Sequence, residues 1–211
     1  MSTAQDRLTL GPELAGALMT PEEFDRAEIG GELHVYELIN GVLVVTPPPS
    51  EGERGPNELL GRLLFSYKEQ HPNGKALDYT LPEHLIAVAG NRRRADRVIW
   101  AGLGRLPDVD RDLPAIVVEF VSAGRNRERD YGAKRREYLG AGIAEYWVID
   151  RFRRRMAVYS GCSGRAASRR AAAELVVPEG EAYATPLLPG FELPVGRLFE
   201  EADRLREAKR P

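Results

Sequence analysis

Residues 115–150 read AIVVEFVSAGRNRERDYGAKRREYLGAGIAEYWVID, and they constrain the fold more than any other stretch. Two apolar runs of strand length, 115–121 and 145–150, flank a basic helical pattern over 127–139, with Gly140 and Gly142 placed to end the helix. A β–α–β unit of this kind needs a sheet with a helix laid across its face. Glu119 interrupts the first apolar run, between Val118 and Phe120. Carboxylates almost never stay fully buried unless they are paired or hold a metal. Something must therefore compensate Glu119.

The rest of the chain supplies the partners for such a sheet. Thr20-Pro21-Glu22-Glu23 predicts a short helix start, and residues 1–20 before it have little pattern and read as a loose arm. HVYELINGVLVV (34–45) predicts a hairpin turning at Asn40-Gly41, which the prolines at 47–49 end. A helix is expected over about 56–69, then strands near 76–80, 83–89 and 94–100, and a polar loop to Pro114. A strand at 155–159 should pair with 145–150 through the arginine-rich turn. Residues 161–172 read as a loop, followed by strands near 173–177 and 182–186 and a helix over 195–208. No linker is long enough to divide the chain, so residues 21–211 are expected to form a single domain of α/β class with a mixed sheet.

Charge and cysteine content narrow the function. Net charge is -2, so the chain is no polycation that coats nucleic acid unselectively. Local charge differs: Arg125, Arg127, Arg129, Lys134, Arg135 and Arg136 face only Glu128 and Asp130 in the same stretch. That stripe fits attraction for phosphate and a solvated helix face equally well. The single cysteine, Cys162, excludes an intrachain disulfide and fits a reducing cytoplasm. Three histidines without ligand spacing argue against structural zinc. No secretory signal is evident, and no apolar run approaches the ~20 residues that span a bilayer.

If the strand at 94–100 pairs antiparallel with 115–121, residue 100 faces 115 and Asp96 falls opposite Glu119. Opposed Cβ atoms in such a ladder lie about 4.5–5.5 Å apart. Two carboxylates that close repel unless protonated or bridged by a cation, and oxygen donors of this kind suit Mg²⁺ or Mn²⁺. A strand-start cap would also account for Asp96, and an ion pair with an arginine for Glu119. On the helix Tyr131, Lys134 and Tyr138 share a face, while Arg135 and Arg136 turn aside. A lysine between two tyrosines points at the sheet, although most lysines are solvated. Glu37 alternates with Val35 in the hairpin and faces either the same cleft or water.

VYELINGVLVV, RRADRVIW, and AIVVEFVS followed by RDYGAKRREYLGAGIAEYWVID resemble the Uma2 family, a former domain of unknown function described in terms of restriction endonucleases. The resemblance covers roughly residues 20–160 and implies a PD-(D/E)xK-nuclease-like, restriction-endonuclease-like core, a mixed β-sheet flanked by helices. It implies that Glu37, Asp96, Glu119 and Lys134 are the catalytic set, with Asp96, Glu119 and Glu37 holding Mg²⁺ or Mn²⁺ beside a backbone carbonyl near Phe120. Arg125, Arg127 and Arg129 become the expected contacts to DNA, and a homodimer would supply two sites for two strands. Ala95 stands where the family has the proline of its P-D motif, and Val42 where an acid often follows the hairpin glycine. Pro56-Asn57 stand where many members have histidine and glutamine. Val121 occupies the lysine position of the standard motif, so the site depends on Lys134 reaching across from the helix. The expected activity is metal-dependent endonucleolytic cleavage of DNA. A non-cleaving nucleic-acid-binding module and a protein-interaction scaffold are the alternatives.

Overall fold

The computed structural model describes residues 7–31, 33–122, 129–161 and 173–208. They fall into two compact units, one drawn from within residues 1–48 and 85–94, the other from within 49–84 and 95–211. The chain passes between them at 48–49, 84–85 and 94–95. The last two passages lie inside strands, so no linker composition marks them.

The smaller unit contains β1 (Thr9–Leu10), α1 (Pro21–Arg26), β2 (Glu28–Ile29) and the hairpin β3 (Val35–Ile39) and β4 (Val42–Thr46). Thr20 and Glu23 close a reciprocal cap on α1. The hairpin turns where the sequence expects, with Asn40 and Gly41 at φ 51° and 76°, as a two-residue turn of this hand demands. Leu10, Met19, Phe24, Tyr36, Leu38 and Leu43 form its core. Residues 7–20, expected as part of a loose arm, thus supply two core side chains, and β1 pairs parallel with β2.

The larger unit opens with α2 (Glu51–Gln70), and β5 (Leu77–Val88) and β6 (Asn91–Ala101) each run through both units. It continues with β7 (Ile116–Phe120), a π-helical turn (Arg129–Lys134), α3 (Arg135–Gly140), β8 (Glu145–Asp150), β9 (Arg155–Ser160) and β10 (Ala173–Pro178). The short pair β11 (Ala182–Ala184) and β12 (Glu192–Pro194) precedes α4 (Val195–Glu207). Its sheet runs β10-β9-β8-β7-β6, with β5 on β6. The pairing is parallel between β7 and β8 and antiparallel from β6 to β7, β8 to β9 and β9 to β10. This is the mixed sheet flanked by helices that the sequence predicts. None of the helices described is long and apolar enough to cross a membrane.

Strand alternation sorts the side chains of this sheet onto two faces. Ile116, Val118, Phe120, Trp147 and Ile149 turn toward Leu59, Leu60 and Leu64 of α2 and Leu198 and Phe199 of α4. On the other face Tyr146 packs between Tyr138 of α3 and Tyr159 of β9.

Three elements differ from expectation. Helix α2 starts at residue 51 rather than 56, because Ser50 and Glu53 form a capping box that carries the helix through Pro56. The strands expected at 76–80 and 83–89 are one strand, bent at Glu83, whose φ is 49°. The helix after β7 opens with a π turn, a feature frequent at functional sites.

Candidate metal and phosphodiester site

The β6–β7 ladder pairs Arg97 with Val118, Val98 with Val117 and Ile99 with Ile116. Counted one step further, this register sets Asp96 opposite Glu119, as the sequence anticipates. Both side chains are on the face that α3 crosses. Glu119 is 3% exposed, and its Oε2 lies 2.7 Å from Lys134 Nζ. Tyr138, one turn after Lys134, donates its hydroxyl to Glu119 Oε1 at 3.1 Å. Asp96 is half-buried, and its Oδ2 accepts the Phe120 N–H at 2.6 Å.

Desolvation drives the Asp96 carboxyl well above the usual carboxylate range, and the Glu119 carboxylate adds to it; Lys134 and the Phe120 N–H pull back, while Glu83 on β5 pushes further. Two carboxyl groups share one lysine here, and Asp96 holds its proton to higher pH than an ordinary carboxyl until a cation takes the proton's place. A divalent cation fits this donor set: two carboxylates offer hard oxygens and leave positions for water and phosphate, the mode in which Mg²⁺ is usually bound. Among the described residues no group of three or more His, Cys, Asp or Glu side chains is arranged to hold a metal.

The inward face of the helix is as the sequence expects. Tyr131 donates to Asp150 Oδ2 at 3.1 Å, and the other oxygen of that fully buried carboxylate accepts the N–H groups of Phe152 and Arg153. Burial and Asp150 push the Tyr131 hydroxyl up to about 12. Arg135 turns aside, its guanidinium over the Tyr159 ring, and Arg136 is exposed. Val121 is buried and donates its N–H to Ile149 O, so Lys134 supplies the ammonium at Glu119.

The structure thus brings Asp96, Glu119 and Lys134 together. Glu37 belongs to the smaller unit, where it is 1% exposed and its Oε1 accepts the Arg94 N–H at 3.1 Å. Arg125, Arg127 and the Arg129 side chain lie outside the described residues, as does most of the loop expected at 161–172.

Several contributors are not evident in the sequence. Asn57 donates its amide to the Asp96 carbonyl at 2.7 Å. Glu53 is 7% exposed and accepts the Ser122 hydroxyl three residues beyond Glu119, as well as the Ser50 N–H and hydroxyl. Only the S-x-x-E spacing of Ser50 and Glu53 could have signalled these.

Comparison with protein families gives a match over residues 21–196 to Uma2, described as "Putative restriction endonuclease". The chain belongs to the Uma2 family. Among solved structures, this Uma2 chain resembles a crystal structure titled as a putative nuclease belonging to DUF820 from Anabaena variabilis. The TM-score is 0.66 at 14% identity, over 87% of this chain and 99% of that one, a likeness of fold alone. Comparison with curated proteins finds no match. Family and fold together suggest a restriction-endonuclease-like nuclease.

Proposed function

We propose that this Uma2 chain is a divalent-metal-dependent endonuclease that hydrolyses DNA phosphodiester bonds. The observation that supports the reading best is the set of two opposed carboxylates, Asp96 and Glu119, with the Lys134 ammonium 2.7 Å from Glu119. Such a set can hold Mg²⁺ or Mn²⁺ and still present a positive group to phosphate.

Asp96 and Glu119 would hold the cation, joined by a backbone carbonyl near Phe120. When bound, the cation supplies Lewis acidity at phosphorus and makes water a better nucleophile at neutral pH. Lys134 stabilises the negative charge that builds on the phosphoryl oxygens as the P–O bond to the leaving sugar breaks. Tyr138 and Lys134 each bond one oxygen of Glu119 and hold its carboxylate in one orientation. Burial of these partners keeps competing water away from the ion pair. Glu37 would be the third acid, to hold a second cation or orient water, on the strength of its family motif. Arg125, Arg127 and Arg129 would position the phosphate backbone without reading sequence. A homodimer would bring two such sites to the two strands, and one cysteine suits a cytoplasmic setting.

Plasmid cleavage with Mg²⁺ and with Mn²⁺, against a chelator control, tests the proposal. Metal-dependent nicking or linearisation is expected. DNA binding without any cleavage in either metal would instead indicate a non-cleaving module on this fold.

A further inference from the structure

On the sheet face away from Lys134, a buried cation is held in an unusual way. Arg97 is 2% exposed, and burial pushes its guanidinium down to about 10. Its hydrogen bonds go to neutral oxygens: Nε to Asn57 Oδ1 at 2.6 Å, Nη2 to Asn57 O at 3.0 Å and Nη1 to Thr80 Oγ1 at 3.2 Å. The cradle is built for it. One turn along α2, a Cβ at Gly61 would stand 2.7 Å from Arg97 Nη2, so a larger residue would displace the guanidinium.

An aspartate at position 57 would neutralise this cation and relieve its burial cost. What an asparagine offers and an aspartate lacks is the amide donor, and that donor goes to the Asp96 carbonyl at 2.7 Å. Asn57 thus ties two things with one planar group: Arg97 fixes the amide through its oxygen, and the nitrogen then fixes the backbone of Asp96. The Asp96 carboxyl is pinned separately by the Phe120 N–H on the neighbouring strand. With both backbone and carboxyl held, Asp96 stays opposite Glu119.

We propose that Asn57 is a positioning residue that acts through Asp96, setting the two-carboxylate site for its cation with Arg97 as its anchor. The inference rests on the metal-dependent reading above. Groups that orient ligands from behind change metal affinity or activity by about 10–100-fold when removed.

The test is Mn²⁺ titration by calorimetry on the full chain, beside thermal melts and plasmid cleavage, for wild type and four variants. Asn57→Asp keeps an acceptor for Arg97 and loses the donor. Its melting temperature should match or exceed wild type, while Mn²⁺ affinity and cleavage fall about tenfold or more. The added negative charge favours cation binding, so a fall cannot come from charge. Asn57→Ser removes both side-chain bonds and should show the same fall in affinity with a lower melting temperature. Asn57→Gln, which keeps both groups, should recover part of the affinity. Thr80→Val removes a bond from Arg97 without touching Asp96, and should lower the melting temperature with affinity within about twofold of wild type. Unchanged Mn²⁺ affinity in both Asn57→Asp and Asn57→Ser, with wild type binding and cutting, would overturn the positioning role alone. Absence of Mn²⁺ binding and cleavage in wild type would overturn the metal-dependent reading, and this inference with it.

Discussion

Lys134 Nζ and Glu119 Oε2 are 2.7 Å apart, and both side chains are 4% exposed. Removing one partner from so buried a pair costs about 3–5 kcal/mol, because the other charge is left uncompensated. The two sides are not equivalent here. Glu119→Gln also relieves the repulsion on Asp96, whereas Lys134→Met leaves two carboxylates facing each other. Urea unfolding of the metal-free protein should therefore show Lys134→Met to be the more destabilised. The double variant should be more stable than Lys134→Met alone, and added Mn²⁺ should rescue Lys134→Met more than wild type.

Asp96 predicts the pH dependence. Its carboxyl titrates near ~3.9 in the unfolded chain and well above the usual range in the folded one. Between those values the folded state keeps the proton that the unfolded state has lost, so stability falls as pH rises. The contribution is fully present below the unfolded value and gone above the folded one. Metal-free wild type should lose stability relative to Asp96→Asn as pH climbs through that window. Saturating Mn²⁺ should reverse the trend, since the cation binds the deprotonated form. Parallel profiles for the two proteins would contradict the assignment.

Tyr131 anchors the π turn that ends at Lys134. Tyr131→Phe removes the hydroxyl donated to Asp150 and should cost about 1–3 kcal/mol, the penalty for a buried acceptor that loses a partner. Cleavage should fall less than in Lys134→Met, because the ammonium itself remains. Equal loss in the two variants would make Tyr131 as important as the lysine.

Leu64 is fully buried in the layer between α2 and the sheet, away from the carboxylates. Leu64→Ala should destabilise by about 2–5 kcal/mol through the cavity it leaves. Mn²⁺ affinity measured below the melting transition should be unchanged, which separates stability from the site.

Much of the larger unit was legible in the sequence because β7 and β8 are apolar runs of strand length around a helix with a clear inward face. Strand β8 lies over the expected residues, and the opposition of Asp96 and Glu119 follows from folding the chain back symmetrically about the loop at 101–114. The inward set Tyr131, Lys134 and Tyr138 survived the π turn, since all three still meet acceptors on the sheet. Asn57 was not legible. Its role depends on α2 lying over β6, a tertiary contact that no local pattern encodes, and Pro56 suggested a helix start where the chain was already helical. The capping box at Ser50 emerges only in the structure, directly after the three prolines that end the hairpin. Glu83 was hidden for another reason: only the left-handed residue bending β5 reveals that two strands are one.

The most direct test of the account is plasmid cleavage in Mn²⁺ and in Mg²⁺ by wild type, Glu119→Ala and Lys134→Ala, purified identically. Wild type should cut in the presence of the cation, and both variants should lose at least about two orders of magnitude in rate, as removal of a charge-stabilising group at the reaction centre does. Equal cutting by all three proteins would place the chemistry away from Glu119 and Lys134 and contradict the account.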